Sequence, residues 1–167
     1  GAIAEGTLRF AEASLEAGAD GFFYAVQDAT RDVLNEAEFL ALGKAHDLRI
    51  LNAVGGRTGF TLLHVCRTHI MAEQVADYPV HAMNWECGAG NPTLAEARGI
   101  WRQTLVGGLD RQGALLRGTP DEVTAEVRRV IREAGPRRLI ISAGCTLPAA
   151  RPDANLLAAR RAVEIPE

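Results

Sequence analysis

Apolar and polar positions along this chain follow two spacings, one typical of helices and one typical of buried strands. Five short apolar runs are predicted as strands, and segments with apolar residues at every third or fourth position separate them. Strands that alternate with helices are typical of βα units around a parallel sheet. The pattern therefore predicts an α/β fold, with strands at 21–25, 60–66, 80–85, 104–109 and 139–144.

Start and stop signals define the helices between these runs. A helix is predicted over about 36–54, with Gly43 and Asp47 as positions where it could break. Thr119 and Glu122 form a capping box around Pro120, so a long helix should begin there. The other predicted helices are one that ends before Gly18, a short one before residue 80, one from the capping box of Thr93 and Glu96 to about Arg98, and one from 154 to about 163.

Polar or metal-binding side chains follow every predicted strand. In parallel barrels, the carboxyl ends of the strands and the loops after them build the active site. No glycine-rich fingerprint opens a helix directly after a strand, which argues against a dinucleotide site. The candidate site residues are Gln27 and Asp28, His64 and Cys66, Asn84 and Glu86, Asp110, and Cys145.

Three of these side chains can ligate a soft metal. His64 and Cys66 are two residues apart, so on a strand they project from the same face. Cys145 follows the fifth strand and can supply a third ligand. Three protein ligands with an open fourth position are typical of catalytic zinc. Donor atoms more than about 8 Å apart could not share one ion, so this prediction fails if they lie farther apart than that.

Composition and charge exclude several classes of function. The chain has 167 residues, of which 47% are hydrophobic and 23% charged, as expected for one soluble domain. A net charge of -3 does not indicate binding to nucleic acid or to an anionic membrane. Neither a secretion signal nor an apolar stretch of about 18 residues is present, so we expect a cytoplasmic protein. Three cysteines are too few for a disulfide framework.

Six stretches in fixed order resemble the C-terminal half of the uroporphyrinogen decarboxylase superfamily, and the resemblance covers essentially the whole chain. It implies a TIM-type (β/α)8 barrel, of which this chain holds about the last five βα units. Residues 1–167 would then be one incomplete domain without the N-terminal part of the barrel, exposing sheet edges and apolar faces. The stretches are GADGFF at 18–23, HVC at 64–66, YPVHAMNW at 78–85, LVGGLD at 105–110, GTPDEV at 118–123 and SAGCTLP at 142–148.

Two branches of the superfamily differ at the predicted metal ligands. The true decarboxylases need no cofactor, lack the histidine-x-cysteine pair and carry histidine where this chain has Cys145. The zinc methyltransferases, which move methyl groups between corrinoids and thiols such as coenzyme M, carry histidine-x-cysteine and a distant cysteine. Resemblance to that branch implies that His64, Cys66 and Cys145 hold Zn²⁺. Arg67 stands where glycine is common, so the shape of the loop after Cys66 stays open.

The favoured function is therefore zinc-dependent methyl transfer between a corrinoid and a thiol, with the corrinoid as co-substrate or on a partner protein. The alternatives are cofactor-free decarboxylation of porphyrinogen acetate groups and a non-catalytic fragment that pairs with another half-barrel. A homo-oligomer is compatible with either enzyme. Glu86, Asn84 and Asp110 are candidate catalytic residues, although loop or packing roles are open for each. Cys87 is expected to be a packing or solvent-exposed residue, with assistance to the metal as the alternative.

Overall fold

The computed structural model describes residues 1–88 and 90–164, which form an α/β fold. Five strands lie in one sheet in their sequence order, with parallel pairing of the first two and of the last two. All five predicted strands are confirmed, and their ends differ by at most two residues from the predicted ones. The strands are β1 Gly21–Val26, β2 Phe60–Val65, β3 Ala82–Trp85, β4 Thr104–Leu109 and β5 Leu139–Ala143.

The helices agree with the prediction except at three places, one of which is the short helix predicted before residue 80, where the structure has a 3-10 turn. The segment predicted as one helix over 36–54 contains a π-helical turn, Leu40–Lys44, which includes the predicted break at Gly43. The four-residue α5 has no signal in the sequence pattern. The helices are α1 Ala2–Glu16, α2 Glu36–Phe39, α3 Ala45–Gly55, α4 Leu94–Ile100, α5 Ala114–Arg117, α6 Pro120–Ala134 and α7 Asp153–Ala162, with a 3-10 turn at Ala72–Val75.

The chain divides into two compact units, and the first is Gly1–Met83. A half-buried carboxylate joins α3 to β1 in this unit: Asp47 accepts hydrogen bonds of 2.8 Å from the hydroxyls of Tyr24 and Tyr78. Burial raises the pKa of Asp47 and of both phenols. Because the two hydroxyls replace the water that the carboxylate loses, this contact fixes α3 against β1 without leaving an unsatisfied acceptor.

The second unit is Asn84–Glu167, and α6 and α7 pack together in it. The predicted capping box at Thr119 is present, and the apolar stripe of α6 is buried at Val123, Val127, Val130 and Ala134. Asn155 of α7 is 1% exposed, and its amide group donates to the carbonyl oxygens of Ala114, Leu115 and Gly118. This side chain therefore satisfies the carbonyl groups at the end of α5.

Apolar surface is exposed at both outer strands of the sheet, as expected for part of a barrel. Phe23 of β1 is 66% exposed and Ile140 of β5 is 43% exposed. A groove of about 1010 Å³ lies along β5, α6 and α7, and Arg128, Arg132 and Arg160 are its charged lining residues.

Among the helices of the described residues, none is long and apolar enough to cross a bilayer.

Replacing Asn155 with alanine should destabilise the protein, because the carbonyl oxygens of Ala114, Leu115 and Gly118 lose the hydrogen bonds from its buried amide group. We expect a loss of about 1–3 kcal/mol in the free energy of unfolding, measured by urea denaturation. The control is Asn52→Ala, since Asn52 lies exposed on α3. Equal stability of the Asn155→Ala variant and the parent would show that these hydrogen bonds contribute nothing.

Candidate metal site

The end of β2 positions His64 and Cys66. His64 is 6% exposed, and its ring stacks on Phe23 with the centroids 5.6 Å apart and the planes at 28°. Cys66 follows the last residue of β2, and its N–H donates to the carbonyl oxygen of Val26 over 2.9 Å. Strand pairing therefore extends to Cys66, which keeps the two-residue alternation that the sequence predicted.

A close approach of two backbones places Cys145. A Cβ atom at Gly144 would lie 2.3 Å from Cα of Glu86 and 2.5 Å from the carbonyl oxygen of Trp85. Only glycine avoids this overlap with the end of β3. Gly144 thus brings the loop after β5 against the loop after β3, and Cys145 follows directly.

The three predicted ligands come together. One ligand atom from each of His64, Cys66 and Cys145 lies within 4.8 Å of the other two. Ligands on one tetrahedral zinc ion are about 3.5–4 Å apart, so this limit of 4.8 Å is about 1 Å wider than the spacing in such a site. His64 is buried and both cysteines are half-buried, which suits ligands in a partly enclosed site. The group could therefore hold a metal, and a nitrogen with two sulfurs fits zinc.

Glu86 is paired with an arginine that the sequence reasoning did not select. Nε of Arg111 lies 3.1 Å from a carboxylate oxygen of Glu86, and each side chain is about one-third exposed (30% and 31%). Nη1 of the same guanidinium lies 3.5 Å from the carbonyl oxygen of Thr146. The hydrogen bond with Glu86 is the main cause that raises the pKa of Arg111, and the charge of Cys145 adds to it. Glu86 is thus held in an ion pair near the predicted ligand Cys145.

Asn84 and Asp110 each make hydrogen bonds to the backbone. The amide group of Asn84 is buried and donates to the carbonyl oxygens of Val106 and Ala143, at 2.8 Å and 3.1 Å. Asp110 is exposed, and its carboxylate accepts from the N–H of Gln112 over 2.8 Å. Asn84 joins β3 to the backbone of β4 and β5, and Asp110 shapes the turn that contains Arg111. Direct roles of either residue in catalysis stay predictions.

The other histidines and the third cysteine have separate environments. Nδ1 of His81 accepts from the N–H of Thr61 over 2.9 Å, and Nδ1 of His69 lies 2.8 Å from a carboxylate oxygen of Asp32. Burial raises the pKa of the Cys87 thiol to about 11. A thiol held in its neutral form is a poor metal ligand, in agreement with the expected packing role of Cys87.

The sequence reasoning missed Arg111, the partner of Glu86, and the contact of Asp32 with Thr68. Arg111 directly follows Asp110 at a strand end, so the rule that selected Asp110 could have found it one residue later. Asp32 and Thr68 meet across 36 residues of chain. No local spacing predicts that contact, because it depends on how the loops after β1 and β2 meet.

Comparisons with protein families and with solved structures both find similar proteins. The family model described as uroporphyrinogen decarboxylase (URO-D) matches residues 1–165. A solved structure described as a methyltransferase from Methanosarcina mazei superposes with a TM-score of 0.78 at 23% sequence identity. The alignment covers 96% of this chain and 46% of that one, so this chain spans less than half the length of that protein. The likeness to this structure confirms the predicted fold, which is part of a TIM-type barrel. A search of curated proteins found no match.

Replacing Gly144 with alanine should weaken metal binding, because the added methyl group would push Cys145 away from its place. We expect zinc affinity to fall about 10–100-fold, as when outer-shell support of a ligand is lost, measured by competition with a chromogenic chelator. Gly99→Ala is the control, since nothing lies within 4 Å of a Cβ atom there. Unchanged affinity in the Gly144→Ala variant would show that the close approach is not needed.

The raised pKa of Cys87 predicts slow alkylation at neutral pH. With a pKa of about 11, about one thiol in a thousand is ionised at pH 8, and only the thiolate reacts. In a Cys66→Ser, Cys145→Ser variant, labelling of Cys87 by iodoacetamide should increase about tenfold per pH unit up to about pH 11, as read by mass spectrometry. A plateau near pH 8.5, as in the urea-unfolded control, would contradict the protected environment.

Proposed function

The chain belongs to the uroporphyrinogen decarboxylase family, and we propose that it is part of a zinc-dependent enzyme that transfers a methyl group from a corrinoid to a thiol. The observation that carries this proposal is the proximity of His64, Cys66 and Cys145, whose ligand atoms lie within 4.8 Å of one another. Cofactor-free decarboxylation does not require two thiols and an imidazole close together, whereas a zinc ion that activates a thiol needs protein ligands of this kind around one point.

The donor set fits this chemistry by its charge. Two cysteinate ligands balance the two positive charges of zinc, and His64 adds a neutral donor. A zinc ion bound there would offer an open coordination position to the substrate thiol and lower the pKa of that thiol. The thiolate then carries the excess negative charge, which keeps it nucleophilic at neutral pH.

The transfer itself is a substitution at the methyl carbon. The thiolate sulfur forms a bond to that carbon while the carbon–cobalt bond of the methylcorrinoid breaks. The electron pair of the broken bond stays on cobalt, which passes from Co(III) to Co(I), and the thiol leaves as a methyl thioether. The thiol proton needs an acceptor, and Glu86 is our candidate because carboxylates serve as general bases.

The surrounding side chains hold the reacting groups in place. Phe23 stacks on His64 and limits rotation of its ring. Arg111 fixes the carboxylate of Glu86 by the ion pair of 3.1 Å. Asn84 joins the backbone of β4 to that of β5, which leads to Cys145. The methylcorrinoid would be presented as a free co-substrate or by a corrinoid protein partner.

Metal analysis of the full chain after zinc-replete expression tests the proposal. We expect about one equivalent of zinc in the parent protein and a loss of bound zinc in Cys145→Ala, because two remaining ligands hold the ion weakly. Cys87→Ala is the matched control and should keep its zinc. Less than a tenth of an equivalent in the parent protein would remove the basis for the proposal.

A second measurement addresses the reaction. The zinc-loaded chain should demethylate methylcobalamin in the presence of coenzyme M, followed by the change in corrinoid absorbance and by detection of the thioether. Cys145→Ala should lose this activity together with its zinc. Decarboxylation of a porphyrinogen by zinc-free protein, without methyl transfer by the loaded protein, would instead support the alternative function.

A further inference from the structure

The backbone directly after Cys66 has an unusual conformation. Arg67 has φ of 80° and His69 has φ of 49°, both in the left-handed region that favours glycine. For residues with a side chain, this region costs about 1–2 kcal/mol each. Strained backbone of this kind persists only where surrounding contacts hold it, and it is frequent at functional sites.

One carboxylate contacts both residues that follow Arg67. The hydroxyl of Thr68 donates to Oδ2 of Asp32 over 2.7 Å, and Nδ1 of His69 lies 2.8 Å from Oδ1. These hydrogen bonds, that of Thr68 first, lower the pKa of Asp32. The carboxylate is thus ionised at neutral pH and holds both side chains by charge-assisted bonds, which are stronger than neutral ones.

Asp32 is itself fixed by the backbone around it. Its N–H donates to the hydroxyl of Thr30 over 3.2 Å, and that hydroxyl donates to the carbonyl oxygen of Thr68 over 2.6 Å. Thr30 is fully buried, and the N–H of Arg31 donates to the carbonyl oxygen of His69 over 3.0 Å. The loop after β1 therefore provides a rigid support on which Asp32 holds the loop after β2.

We propose that Asp32 is a positioning residue for the metal ligand Cys66. By holding Thr68 and His69, it keeps Arg67 and His69 in their left-handed conformation, and this fixed loop holds Cys66 in the orientation that its strand pairing with Val26 sets. The inference rests on the proposed metal site. It assigns no contact between Asp32 and the metal: Asp32 acts through the loop.

The position of Arg67 supports this role. Glycine adopts φ of 80° without steric cost, so it would form this loop with less support. Arg67 needs the contacts of the loop, and its own Nε donates to the carbonyl oxygen of Gln27 over 3.0 Å. With arginine at position 67, the metal site should therefore depend on Asp32 more strongly than it would with glycine there.

Cobalt(II) titration of the full chain tests the inference, because the visible bands of a cobalt–thiolate site report both affinity and geometry. In Asp32→Asn, we expect cobalt and zinc affinity to fall about 10–100-fold with weaker thiolate bands, since an amide cannot accept both hydrogen bonds. Asp77→Asn is the matched control: this exposed carboxylate pairs with Lys44 at 2.8 Å in the same unit, and its loss should leave the bands unchanged.

A double-mutant cycle separates positioning from general destabilisation. If Asp32 acts by holding the left-handed loop, Arg67→Gly should restore a large part of the affinity that Asp32→Asn loses. Equal metal affinity of Asp32→Asn and the parent would overturn the inference. It would also be overturned if Asp32→Asn lowered metal affinity equally with Arg67 and with glycine at position 67, and lowered the thermal stability of the metal-free protein to a matching extent. Failure of the parent itself to bind cobalt would refute the metal site and the inference with it.

Discussion

Parallel pairing of strands is the constraint on which the candidate site depends. It places the carboxyl ends of neighbouring strands at one edge of the sheet, so residues far apart in sequence become neighbours there. A change of register by one residue would turn His64 to the opposite face of β2. The extension of pairing to Cys66 through its hydrogen bond with Val26 therefore keeps Cys66 in the same alternation as His64.

The site also depends on backbone that adopts demanding conformations in two places. Gly144 permits the loop after β5 to approach the end of β3, and the loop after Cys66 contains two non-glycine residues with positive φ. The first is made possible by the absence of a side chain and the second by hydrogen bonds to Asp32. Cys145 is thus placed by a close backbone approach that only glycine allows, whereas Cys66 is held by hydrogen bonds of the loop that follows it.

The sequence predicted those parts of the fold that local patterns determine. The five strands follow from apolar runs, and α4 and α6 begin at capping boxes because the pairs Thr93–Glu96 and Thr119–Glu122 act within one turn. The candidate ligands, whose donor atoms lie close together, were selected from residue type and position at strand ends. The π-helical turn, the ion pair of Glu86 with Arg111 and the contact of Asp32 with Thr68 were not predicted, since each depends on tertiary packing rather than on spacing. The conformation of Arg67 belongs with them, because arginine gives no local signal for a positive φ.

The exposed apolar side chains on the outer strands have a consequence for work with this polypeptide in solution. An outer strand carries N–H and C=O groups that can pair with another chain, and Phe23 on β1 and Ile140 on β5 add apolar surface to them. The tendency of the chain to aggregate then depends on these two strands rather than on the candidate metal site. Light scattering recorded during a metal titration would distinguish protein that aggregates by intermolecular strand pairing from protein that stays dispersed but does not bind the metal.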